Sequence, residues 1–120
     1  MLLSEVVLRS MPPPRSLALA QLDMLRRAVA MPDVRLGIVP VEGSARAWMW
    51  HGFTLFEAMD EDEDLIHVET LTAVVHVSDP DDVRAYRDAL DRLRAIAVYG
   101  DDASSWIAGV MEDMAAGRER

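Results

Sequence analysis

"LIHVETLTAVVHVSDPDDVRAY" (Leu65–Tyr86) is the stretch whose reading decides the fold. Apolar, β-branched residues dominate "LIHVET" (Leu65–Thr70) and "AVVHVS" (Ala73–Ser78), so each reads as a strand. Only "LT" separates them. A connection that short allows an antiparallel hairpin and excludes a parallel crossover. A turn over Thr70–Ala73 sets the register: His67 falls opposite His76, and Glu69 opposite Val74. Because side chains alternate across a sheet, His67, Glu69 and His76 share one face. The next residues start a helix. Asp79 is placed to cap it, Pro80 takes the first helical position, and Asp81 and Asp82 sit where the helix dipole favours acids.

That helix continues through "RAYRDALDRLRAIAVYG", with Val83, Tyr86, Leu90, Leu93 and Ala97 on its buried face and Gly100 expected at its end. Arg84–Asp88, Arg87–Asp91 and Asp88–Arg92 stand at surface i,i+4 spacing. Asp101 is then placed to cap a last helix carrying Trp106, Ile107, Val110, Met111 and Met114 on one side. Residues 115–120, "AAGRER", read as a frayed tail.

Upstream, "GFTLFEA" (Gly52–Ala58) reads as a third strand of the antiparallel set, one of Phe53 and Phe56 facing the core. "DEDED" (Asp60–Asp64) lacks the spacing and the glycine of a calcium loop and reads as a solvated hairpin tip. At the N-terminus, "LLSEVVL" (Leu2–Leu8) reads as a strand or strand plus turn, and "SMPPPRS" as an extended loop. Ser16 is a plausible cap for a helix reaching Ala30, with Ala18, Leu22, Leu25 and Val29 on one face. "VRLGIVPV" (Val34–Val41) reads as a buried strand. Strand, helix, strand over 2–41 implies a right-handed parallel crossover. The expected fold is α/β in the loose, α+β-like sense: one domain over 1–120, with a single mixed, mainly antiparallel sheet of about five strands, one crossover helix and two C-terminal helices.

Composition narrows the function classes. The chain has 120 residues, a net charge of −9 and no Cys. Disulfides, thiolate metal sites and Cys nucleophiles are therefore excluded. All 12 basic residues are Arg, and most sit among acids, so no basic stripe emerges to grip phosphates. No run approaches the roughly 18 apolar residues of a membrane span. The N-terminus lacks the basic n-region and cleavage site of an export signal, so a cytoplasmic location is expected. No Ser has a G-x-S-x-G setting, and no Gly-rich loop precedes a helix to cradle phosphate.

Four stretches together resemble a known family. They are "QLDMLRRAVAMPDVRLGIVP" (Gln21–Pro40), "EGSARAWMWHGFTLFE" (Glu42–Glu57), "LIHVET" (Leu65–Thr70), and "DPDDVRAYRDALDRLRAIA" (Asp79–Ala97) followed by "SSWI". The likeness is to the C-terminal domain of unknown function that follows an Xre-type helix-turn-helix in many actinobacterial transcription regulators. It spans about Glu5 to Met114. The DNA-binding part and the helical first part of that family domain are missing here, so the chain reads as a stand-alone or truncated form. The resemblance implies sensing of a ligand or partner in the cytoplasm and transfers no catalytic residue. The family tends to carry an aromatic residue where His67 and His76 stand, which implies a packing or pocket-lining role at those positions.

The residues themselves nominate two places for a site. "PVEGSARAWMWHGFTLFE" (Pro40–Glu57) holds Trp48, Trp50, His51 and both phenylalanines. Gly43 and Gly52 bracket the loop, and indoles suit a semi-apolar pocket, a partner surface or a lid on the core. The segment Trp48–His51 is expected to border the principal cavity. The second place is the sheet face of His67, Glu69 and His76, where two imidazoles and a carboxylate are the material of a metal site or of acid–base chemistry; an ordinary solvated face is the plainer reading. His51 joins that cluster only if its loop folds over the same face. Glu69 is expected to pair with Arg46 or Arg35, or to accept a ligand's donor. The ligand-binding set is therefore Trp48, Trp50, His51, His67, Glu69 and His76, with no metal and no cofactor. The expected function is a sensing domain for a small apolar or aromatic metabolite or a protein partner, without direct nucleic-acid or membrane contact, a homodimer being one form of partner. The alternative is a cofactor-independent isomerase or cyclase from a biosynthetic cluster, using His51, His67, Glu69 and His76 as acid–base groups.

Overall fold

The computed structural model describes residues 1–42, 51–60 and 63–118. The chain divides into two compact units, Met1–Ala45 with Leu93–Arg120, and Arg46–Arg92. Among the described residues there are four helices and two sheets, an α+β arrangement.

In the first unit, β1 (Leu2–Ser4) is followed at once by α1 (Glu5–Arg9). Of the strand or strand plus turn expected over Leu2–Leu8, the strand ends at Ser4, whose hydroxyl accepts from the Val6 amide at 3.2 Å and caps the helix. α2 (Arg15–Ala28) starts one residue before Ser16. The Pro14 carbonyl, not the Ser16 hydroxyl, receives its first amides, those of Leu17 and Ala18 at 3.0 and 3.2 Å. Ala18, Leu22 and Val29 are buried, as their helical spacing requires.

β2 (Gly37–Val39) lies parallel to β1, with Leu2 opposite Gly37 and Ser4 opposite Val39. The expected single five-strand sheet does not form. The other edge of β2 is already taken: Ile38 exchanges both backbone hydrogen bonds with Val98, at 2.9 and 2.8 Å. α4 (Gly100–Ala115) supplies Ala103, Ile107, Val110 and Met114 to a core that includes Leu8, Leu22, Leu36 and Ile38. Gly100 opens this helix after Tyr99, so it neither ends the preceding helix nor leaves Asp101 as the cap. The far end closes with a Schellman motif. Gly117, at φ 72°, lets the Arg118 amide reach the Asp113 carbonyl at 2.7 Å and its own amide reach Met114 at 3.2 Å.

One buried carboxylate ties this unit together. Glu5 is only 7% exposed. It accepts from the Val41 amide at 3.0 Å and from Arg9 Nε at 2.8 Å. Arg9 in turn reaches Asp113 on α4 at 3.0 Å.

The second unit is an antiparallel meander, β3 (Thr54–Phe56), β4 (Leu65–Glu69) and β5 (Val74–Val77) in that order, with α3 (Pro80–Ile96) beginning in it. The cap expected at Asp79 is present: its carboxylate accepts from the amides of Asp81 and Asp82 at 3.0 and 3.2 Å. Ile66, Val68 and Val83 form the core, with Phe53, Leu55, Val77 and Tyr86 packed against it. Of the two phenylalanines, Phe53 turns inward and Phe56 is 54% exposed. At the hairpin tip, Asp64 accepts from the Ala58 amide at 2.8 Å and pairs with Arg87 of α3. Arg84 pairs with Asp81 at 3.1 Å.

Candidate functional site

Strand pairing builds the site. Thr54 stands opposite His67, and His67 opposite His76. The hairpin closes with the Thr70 amide bonded to the Ala73 carbonyl at 2.8 Å. Backbone bonding alternates from there, so Val75 and Val77 face β4 with their amides and carbonyls, and His67 and His76 form a pair without backbone bonds. Such pairs bring side chains closest. The rings accordingly meet: His67 Nδ1 lies 3.0 Å from His76 Nε2. The other nitrogen of His67, Nε2, lies 3.1 Å from Glu69 Oε1. Phe56 turns its ring at 83° to that of His67, with centroids 6.3 Å apart.

The relay fixes its own protons. A carboxylate oxygen beside His67 Nε2 requires a hydrogen on that nitrogen. In a neutral ring, Nδ1 of His67 is then an acceptor, and His76 Nε2 donates to it. His76 Nδ1 is left with the free lone pair at the end of the chain. This assignment follows from the hydrogen-bond network. The inner face of the same strands, Ile66 and Val68, is buried, so the row stands on a rigid support.

His67, Glu69 and His76 are thus brought together as the alternation requires. Within the second unit Glu69 bonds His67, and within the first the Arg35 guanidinium, one of the two partners expected for Glu69, lies over the Tyr99 ring, 5.9 Å from its centroid. Arg46, the other proposed partner, lies outside the described residues, as do Trp48 and Trp50. His51 stands elsewhere. Its Nε2 is 3.4 Å from the Tyr86 hydroxyl of α3, and its Nδ1 is 3.0 Å from the Gly52 carbonyl. Tyr86 also packs edge-on against Phe53, so His51 keeps company with the helix-covered side of the sheet. Among the described residues no group of three or more His, Cys, Asp or Glu is arranged to hold a metal ion.

Two surface hollows lie away from the relay. One, of about 310 Å³, is lined by Asp64, Ser78, Pro80, Val83, Arg84 and Arg87. The other, of about 290 Å³, lies between α1 and α2 beside Val7, Met11, Leu17 and Ala18. Neither is lined by His51. No helix among the described residues is long and apolar enough to cross a membrane.

The fold and site define a small α+β chain with a polar relay mounted on an open antiparallel face. The chain belongs to the family described as domain of unknown function DUF5753, whose model matches residues 1–109. No curated protein matches it, and no solved structure does.

Proposed function

We propose that this chain is a ligand- or partner-sensing domain, related to the C-terminal domains of actinobacterial Xre-type regulators, and that the open face around His67, Glu69 and His76 receives the ligand. The observation that carries this reading is the Glu69–His67–His76 relay beside exposed Phe56. It offers a free acceptor, His76 Nδ1, at one end of a row whose other imidazole lies against the exposed Phe56 ring, which suits a small apolar or aromatic metabolite bearing one hydrogen-bond donor. The acidic balance and the lack of a basic stripe assign DNA contact, in the cytoplasm, to another domain or partner. Thermal-shift measurements with small aromatic and apolar metabolites test the reading. A compound that stabilises the parent chain and fails to stabilise His67→Ala supports it; equal stabilisation of both removes the relay from binding. Mobility-shift assays with the isolated chain are expected to show no sequence-specific DNA complex.

The relay geometry also favours a second reading, a cofactor-independent isomerase or cyclase. A carboxylate that orients one imidazole, which orients another, is an arrangement a general base needs. Proton exchange from a bound metabolite into solvent deuterium, abolished in His76→Ala, distinguishes this from binding alone.

A further inference from the structure

β5 has the composition of an interior strand and the position of an edge. "AVVHV" (Ala73–Val77) is a nearly unbroken apolar run, the pattern of strands covered on both faces. Yet β5 ends the sheet, and Val74 and Val75 are 56% and 44% exposed. Since Val75 and Val77 bond to β4, the amides and carbonyls of Val74 and His76 point away from the sheet. Beyond its four-residue length, the edge carries little defence: no proline, no charged side chain and no bulge interrupts Val74–Val77.

From this edge we infer that the protein forms a twofold dimer in which β5 pairs antiparallel with β5 of a second copy. The outward groups are self-complementary. With Val75 opposite the Val75 of the partner subunit, Val74 of each copy meets His76 of the other, and both residues donate and accept. The charges agree with this register. Val74–Val77 carries no charged side chain, so no like charges meet along the paired strands. A copy of the same chain satisfies the edge in a closed, isologous way, whereas a head-to-tail partner leaves another edge open. The two meanders become one six-stranded sheet, with both relays on its open face. This inference does not rest on the ligand reading, because Val75 lies on the face opposite His67 and His76.

Sedimentation equilibrium tests it on the full chain. The parent protein is expected to be a dimer. Val74→Pro removes an outward amide that bonds nothing among the described residues, at a position where an edge strand tolerates proline. Val75→Glu and Val75→Lys each place like charges face to face at the twofold. All three variants are expected to keep the parent far-UV circular dichroism and to dissociate, with dimer dissociation constants raised about 100-fold for the charged pair. A one-to-one mixture of the Val75→Glu and Val75→Lys chains is expected to form a mixed dimer. A monomeric parent, or a dimer unchanged in both Val75→Glu and Val74→Pro, overturns the proposal.

Discussion

His67 Nδ1 and His76 Nε2 lie 3.0 Å apart across a residue pair that shares no backbone hydrogen bond, on two strands that are bonded through its neighbours. The contact therefore belongs to the side chains, and it is measurable as such. In a double-mutant cycle, His67→Ala, His76→Ala and the double variant are expected to give a coupling of about 0.5–1 kcal/mol in unfolding free energy, the scale of a cross-strand pair. Strictly additive losses would mean that the two rings do not interact in solution.

The Glu5 network carries a larger share of stability. Glu5→Ala removes the carboxylate that Arg9 Nε and the Val41 amide bond at a largely buried position, and a loss of about 3 kcal/mol is expected from denaturant unfolding. A change within a few tenths would show that water replaces the carboxylate without cost.

The same network gives the protein an acid limb. Burial pushes the Glu5 carboxyl up, but the Val41 amide, Arg9 and Trp106 together outweigh it and hold the group below its ordinary range. Hydrogen bonds from Arg9 and then Arg118 hold Asp113 low as well. The sign follows: stability from these groups is complete above the ordinary carboxylate pKa of about 4 and is lost as pH falls through the lowered values. Melting temperature measured from neutral to acid pH is expected to fall below that point, and less steeply in Glu5→Gln. Equal slopes in parent and variant would assign the acid limb to other carboxylates.

Gly37 is where the backbone of β2 passes closest to its neighbours. A Cβ there would meet Leu2 Cδ2 and Tyr99 Cε1, each at 2.7 Å. Gly37→Ala is therefore expected to destabilise by about 2 kcal/mol through overpacking. Ile66→Ala, in the small core of the meander, is expected to cost about 3 kcal/mol, because a fully buried side chain is removed. Denaturant unfolding of both variants checks these values; an unchanged midpoint for Gly37→Ala would mean that Leu2 and Tyr99 yield freely.

Local signals carried much of this fold. The hairpin, its register and the Asp79 cap were legible because a two-residue connection and alternating side chains leave few alternatives. The helical face of Ala18, Leu22 and Val29 was legible for the same reason. The number of sheets was not. Nothing local in "GIV" or in "AVYG" says that Ile38 will bond Val98, a pairing separated by the whole meander. Glu5 was also hidden, since a carboxylate inside "SEVVL" gives no sign that it will be buried against Val41 and α4. In the candidate site, the alternation placed His67, Glu69 and His76 together, but the direction of the Glu69 carboxylate, toward His67, depends on distances that spacing does not encode.

The most direct test of the sensing account is a nuclear magnetic resonance titration of the imidazole nitrogens with small aromatic and apolar metabolites. His67 and His76 sit on the open face, and His51 sits beside Tyr86, so the third histidine is an internal control. The account expects a bound compound to shift the His67 and His76 signals together, to leave His51 nearly unchanged, and to lose its effect in His67→Ala. Binding that moves only His51, or that persists undiminished in His67→Ala, would contradict it.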